Sequence, residues 1–155
     1  MKFHKVSWNQ LVKDCHKLAD NIKKNKFDRI LCISRGGLVW SRMFSDLLDL
    51  PISHLTVESY RDLRQQKETK ITETPNNLKN EIFLVVDEIS DSGKTYQVVV
   101  DYLRSLKITK FYTLAPYIKP KTTFIPDFHL HCLDAWVIFP YEIKETEKAL
   151  KKLKK

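Results

Sequence analysis

Behind Ser7-Trp8-Asn9-Gln10, which has the form of a capping box, Leu11, Cys15, Leu18 and Ile22 recur at three- and four-residue steps. That spacing gathers them on one face and predicts a helix over 8–24. The period then changes. Ile30, Leu31, Cys32 and Ile33 follow one another without a polar break, so 29–33 reads as a short buried strand ending at Ser34-Arg35-Gly36-Gly37. Leu38, Met43, Leu47 and Leu48 return to helical spacing over 38–48, closed by Leu50-Pro51. Residues 52–57 read as a strand. Residues 59–80 are polar, charged and aperiodic, which predicts a long loop or a mobile hairpin.

The rhythm repeats in the second half. A continuous, β-branched-rich apolar strand is predicted over 82–86, and Val98, Val99, Tyr102, Leu103 and Leu106 predict a helix over 95–106. Strands follow at 110–116, 128–132 and 135–139, and an amphipathic helix at 142–154. Strand-loop-helix alternation of this kind argues for an α/β fold with a mostly parallel sheet. In such folds ligands bind beyond the carboxyl ends of the strands.

Composition narrows the class. With 155 residues, 43% of them apolar, the chain can bury one core but is short for two, so a single domain over 1–155 is expected. No stretch approaches the ~18 apolar residues of a membrane span, and Lys2, Lys5, Lys13 and Lys17 interrupt the first 24 residues in a way unlike a signal peptide. A soluble, cytoplasmic protein is expected. Cys15, Cys32 and Cys132 form no CxxC pair and read as small hydrophobes. His129 and His131 alternate, but spacing supplies no third ligand, so packing or surface histidines are expected rather than a metal site.

The net charge of +8 has two parts. Lys144, Lys148, Lys151, Lys152, Lys154 and Lys155 crowd the C-terminus and read as a solvated helix face, with no obligatory nucleic-acid role. Arg35, Arg61, Arg64, Lys67, Lys70, Lys94 and Lys119 instead lie in loops beside the candidate motifs, where they suit a polyanionic ligand. Against this basic background, Asp87, Glu88 and Asp91 fall within five positions in Leu-Val-Val-Asp-Glu-Ile-Ser-Asp-Ser-Gly-Lys-Thr, residues 84–95. All three glycines, Gly36, Gly37 and Gly93, lie in predicted strand-to-helix turns, where backbone either turns tightly or approaches a ligand. Ser92-Gly93-Lys94-Thr95 at a helix N-terminus is suited to a phosphate. It is not a P-loop, because only Gly93-Lys94-Thr95 fits the end of GxxxxGK[ST], and GxGxxG is absent.

An apolar strand, two acids and then Asp91-Ser92-Gly93-Lys94-Thr95 resembles the phosphoribosyl-pyrophosphate signature of the type I phosphoribosyltransferases. Ser34-Arg35-Gly36-Gly37 is similar to the pyrophosphate loop of the bacterial xanthine-guanine branch. Lys119-Pro120 is similar to its purine-contacting lysine, and Trp136-Val137-Ile138-Phe139-Pro140-Tyr141-Glu142 to its W-x-x-x-P-[WY]-[DE] segment. The matches run in family order from Ser34 to Glu142. Glu88 and Ser92 stand where Asp and Thr are common.

The resemblance implies the type I phosphoribosyltransferase fold, with a flexible active-site loop over 59–80 and a C-terminal base-binding hood over 120–142. It implies a purine salvage enzyme that transfers the phosphoribosyl group to guanine, xanthine or hypoxanthine and releases pyrophosphate. The alternatives are a non-catalytic sensor of the same ligand and a transferase for another base. Asp91, Ser92, Gly93, Lys94 and Thr95 would hold the 5′-phosphate, with Asp91 also exchanging a proton with the base. Asp87 and Glu88 would meet the ribose hydroxyls or Mg²⁺, and Glu142 would stand with Glu88 near metal. Ser34, Arg35, Gly36 and Gly37 would receive pyrophosphate, in a loop that in the family often holds a non-proline cis peptide. Lys119, Trp136 and Val137 would bind the purine. A homodimer or homotetramer is implied by the same analogy. Without the resemblance, Trp136 reads as core, Lys119 as a loop lysine and Glu142 as an acid at a helix N-terminus.

Overall fold

The computed structural model describes residues 2–61, 67–76, 78 and 80–153. A five-stranded sheet carries the chain in the order β4-β3-β2-β5-β7. Its strands are β2 (Arg29–Ser34), β3 (Ile52–Arg61), β4 (Lys67–Glu73), β5 (Phe83–Val86) and β7 (Phe111–Leu114). The β2–β3, β2–β5 and β5–β7 pairs are parallel, and only the edge strand β4 runs antiparallel. Helix α2 (Leu38–Leu48) links β2 to β3, and α3 (Lys94–Ser105) links β5 to β7.

The uninterrupted apolar runs follow from burial on both faces. In β5, Leu84 and Val86 point into one core, with Leu11, Cys15, Leu18 and Ile22 of α1 (Trp8–Ile22) and with Trp40 and Phe44 of α2. Phe83 and Val85 point into the other, with Val99 and Leu103 of α3. Each buried side chain of this size contributes about 1.5–3 kcal/mol. A period-two pattern would leave one face without that contribution.

Two short sheets complete the fold. β1 (Phe3–Lys5) lies parallel to β10 (Trp136–Ile138), and β6 (Ile89–Ser90), β8 (Tyr117–Ile118) and β9 (His131–Cys132) form a small parallel sheet. The final helix is α4 (Ile143–Leu153). β1, β6 and β8 have two or three residues each, too few to show a period, and are absent from the sequence expectation. The strand expected over 128–132 narrows to β9, with Phe128 joined to Leu114 by a single bridge.

Within the segment expected to be a long loop or a mobile hairpin, 59–61 pair antiparallel with 67–69, Ser59 with Thr69 and Arg61 with Lys67. Arg64 and the side chains of Tyr60, Arg61 and Lys67 lie outside the described residues. At α1 the capping box is half formed. Ser7 accepts from the Gln10 backbone N–H at 3.1 Å, while the Gln10 side chain donates to Asp14 at 2.8 Å. Asp14 is buried and also accepts from Tyr117 and from His131 Nε2. His131 is thus a packing histidine. No described helix is long and apolar enough to cross a membrane.

Candidate active site

Strands β2 and β5 are neighbours, so the turns that leave their carboxyl ends face one another. Between them opens a cleft of about 420 Å³, lined by Ser34, Arg35, Gly36, Asp87, Glu88 and Asp91 through Tyr96. Ser59 and Thr69 of the β3–β4 hairpin close its side. Residues separated by more than fifty positions in sequence are brought into one cavity.

The phosphate-suited turn has a local cause. Gly93 adopts φ +87°, and a Cβ there would stand 2.6 Å from the Phe124 backbone N. A side chain is excluded on both counts. Gly93 is also the N-cap of α3 and supplies no capping side chain; the Lys94 N–H reaches Ser92 Oγ at 3.4 Å, and the first-turn residues Lys94, Thr95 and Tyr96 line the cleft. The turn is clasped from outside. Thr123 donates its backbone N–H and its hydroxyl to the Ser92 carbonyl, at 3.1 and 2.8 Å, and Ser90 donates to the Phe124 carbonyl at 2.7 Å.

The second turn packs directly on the acids. A Cβ on Gly36 would lie 2.7 Å from Asp87 Oδ1 and 2.9 Å from the Glu88 carboxylate. Gly37 sits behind it, where a Cβ would stand 2.4 Å from the Val86 carbonyl oxygen. The Ser34–Arg35 peptide is cis. Arg35 is exposed and forms an ion pair with Glu145 of α4.

Asp87 is buried and accepts from the Glu88 backbone N–H at 2.8 Å. Desolvation pushes its carboxyl up to about 7, a rise opposed by that hydrogen bond and reinforced by Glu142. Glu88 is pushed well above the usual carboxylate range by burial and then by the charges of Asp87 and Glu142. Asp87 and Glu88, desolvated side by side in this way, favour their protonated forms unless positive charge faces them. Glu88 also accepts from the Tyr141 hydroxyl at 2.6 Å. A second cavity of about 380 Å³ adjoins the first across Glu88 and is lined by Arg35, Gly36, Tyr141, Glu142 and Glu145.

Lys119, Trp136 and Val137 line neither cavity. The Lys119 ammonium donates to the Ala135 carbonyl, and its backbone N–H donates to the Ser90 carbonyl at 3.0 Å, so it bridges β6 and the segment that leads into β10. Trp136 is half-buried and joins neither core cluster, whereas the Val137 side chain belongs to the core. Tyr141, Glu145, Ser90 and Thr123 carried no sequence signal beyond the places of Ser90 and Tyr141 in the two quoted segments. Their roles arise from contacts with residues 29 to 110 positions away.

Residues 7–146 match the phosphoribosyl transferase domain family. The chain is 28% identical over 144 residues to the xanthine-guanine phosphoribosyltransferase of Nitratidesulfovibrio vulgaris, covering 91% of this chain and 85% of that one. It is 31% identical to the xanthine-guanine phosphoribosyltransferase of Gluconobacter oxydans, covering 88% and 83%. Among solved structures, a purine phosphoribosyltransferase from Pyrococcus horikoshii superposes with a TM-score of 0.82 at 28% identity, over 91% of this chain and 95% of that one. The Helicobacter pylori xanthine-guanine-hypoxanthine phosphoribosyltransferase does so with a TM-score of 0.82 at 25% identity, over 96% and 99%. With an acid pair, a glycine-capped helix and an arginine-glycine turn meeting in one cleft, and with the family match spanning most of its length, the chain belongs to the phosphoribosyltransferases of the type I fold.

Proposed function

We propose that this protein is a purine salvage enzyme that transfers the 5-phosphoribosyl group of phosphoribosyl pyrophosphate to a 6-oxopurine and releases pyrophosphate. The observation that carries the reading is the joint cleft, where a glycine-capped helix N-terminus, the Asp87–Glu88 acid pair and Arg35 stand in one cavity. That set matches a ligand with a terminal phosphate, a diol and a polyphosphate leaving group. The names of the similar proteins favour guanine, xanthine and hypoxanthine as the acceptors.

The backbone N–H groups of Gly93 to Thr95, with the Ser92 and Thr95 hydroxyls, would hold the 5′-phosphate. Asp87 and Glu88 would meet the ribose hydroxyls, and Asp91 at the cleft rim would exchange the base proton. Arg35, with the Ser34 and Gly36 backbone, would receive the departing pyrophosphate once it leaves Glu145. Lys119 would release the Ala135 carbonyl to donate to the purine O6, with Trp136 stacking on the ring and the Val137 backbone meeting its 2-position.

The mutually repelling carboxylates of Asp87, Glu88 and Glu142 fit a divalent cation. Mg²⁺ is commonly held by one or two carboxylates together with substrate phosphates, a role that Glu88 and Glu142 would share with the ligand. When bound, Mg²⁺ would neutralise the leaving group. A cytoplasmic homodimer or homotetramer is part of the same proposal.

The test is pyrophosphate release from phosphoribosyl pyrophosphate and Mg²⁺ with a panel of free bases. Guanine, xanthine or hypoxanthine should turn over. Turnover with none, despite tight binding of phosphoribosyl pyrophosphate, would favour a sensor instead. Lys119→Ala should raise KM for the purine by roughly 10–100-fold, the scale of one lost polar contact. Its effect on KM for phosphoribosyl pyrophosphate should be small, and an equal rise in both would remove Lys119 from base recognition.

A further inference from the structure

Trp40 and Tyr141 have no part in the chemistry above, yet both are tied to its acid pair. The Trp40 Nε1 donates to the Tyr141 hydroxyl at 2.7 Å, and that hydroxyl donates to Glu88 Oε2 at 2.6 Å. An indole N–H can only donate, and the tyrosine proton is directed at Glu88 Oε2, so the chain runs from Trp40 through Tyr141 to the Glu88 carboxyl group. The aromatic frame is rigid. Trp40 is fully buried in α2, and the Tyr141 ring lies parallel to Phe139, at 5.5 Å between centroids, and against Trp8 at 6.1 Å.

Glu88 stands in the wall shared by the two cavities, beside the like charges of Asp87 and Glu142. A glutamate so placed would swing away from its neighbours unless something held it. The Tyr141 bond engages Oε2, while Oε1 faces the Gly36 turn, 2.9 Å from where a Cβ there would stand. The length of the side chain matters. Aspartate is one methylene shorter and would not span a 2.6 Å bond to the same hydroxyl.

We propose that Tyr141, itself held by Trp40, is the positioning residue that aims the Glu88 carboxylate into the cleft, and that Glu88, Tyr141 and Trp40 work as a matched set. The inference rests on the transferase reading of the site. It also gives Glu88 a purpose as glutamate, since the longer acid is the one that reaches the relay. Because α2 begins at the Arg35-Gly36-Gly37 turn, the relay joins the ribose acid to the helix behind the pyrophosphate turn.

Calorimetry with phosphoribosyl pyrophosphate and Mg²⁺, without any base, tests it alongside the indole ¹⁵N–¹H resonance of Trp40. In the wild type that resonance should shift on titration. Tyr141→Phe keeps the ring and removes the hydroxyl. It should weaken binding about 10–100-fold, as loss of an outer-shell orienting group does, and should abolish the Trp40 response. Glu88→Asp should do the same. The double variant should be no worse than the weaker single, because both break one bond. Losses that multiply, or wild-type affinity in folded Tyr141→Phe, would overturn the inference. If Tyr141→Phe does not fold, Glu88→Asp decides alone, and an unchanged Trp40 response in it would be fatal. Absence of binding by the wild type would overturn the transferase reading and this inference with it.

Discussion

Asp91→Asn should lower kcat by roughly 10²–10⁴-fold, the usual contribution of a positioned general acid or base. KM for phosphoribosyl pyrophosphate should change little. Asp91 lies between the buried acid pair and the glycine-capped helix, exposed at the rim of the cleft. An asparagine there keeps the shape and one hydrogen-bond acceptor but cannot carry a proton. Steady-state kinetics with each purine separates the two quantities. An unchanged kcat would exclude Asp91 from proton transfer, while a matched loss in binding would assign it to the phosphate turn alone.

Asp87→Asn should stabilise the metal-free protein above neutral pH while abolishing its activity. The folded protein holds the Asp87 proton until about pH 7, whereas the ordinary value is 3.8. Between these values the folded state binds more protons than the unfolded chain, so stability falls as pH rises, and the full cost is present above pH 7. At about 1.4 kcal/mol for each unit, the cost is on the order of 4 kcal/mol. Asparagine removes the charge and can still accept from the Glu88 N–H. Thermal unfolding in EDTA should therefore show Tm raised by several degrees at pH 8, with the gain shrinking toward pH 4. A gain of equal size at both ends would trace to packing instead of charge. Such a trade of stability for activity is expected where a site concentrates like charges for a ligand to neutralise.

The main elements were legible because their patterns are local. Leu11, Cys15, Leu18 and Ile22 place α1 on its core face, and the continuous runs at 29–33 and 82–86 place β2 and β5 where both faces are covered. The glycines were informative for a comparable reason. Gly93 adopts a positive φ, and the Cβ positions of Gly36 and Gly37 are already filled, so the residue type reports a backbone demand. What failed locally did so for want of length or by competition. β1, β6 and β8 are too short to show a period, and Gln10 abandons its capping role because buried Asp14 offers a better partner.

The sequence by itself determined the α/β class and the two glycine-bearing turns whose residues meet in the cleft. Those properties follow from side-chain type, spacing and backbone freedom, which a chain carries before it folds. Only the tertiary structure decided how the groups are held. It pairs Arg35 with Glu145, clasps the Gly93 turn with Thr123 and Ser90, and raises Asp87 by burying it beside Glu88 and Glu142. It also closes the path from Trp40 through Tyr141 to Glu88, across 101 and 53 positions of sequence. Contact energies and desolvation depend on distances between remote residues, and those distances exist only after the sheet has brought its carboxyl ends together.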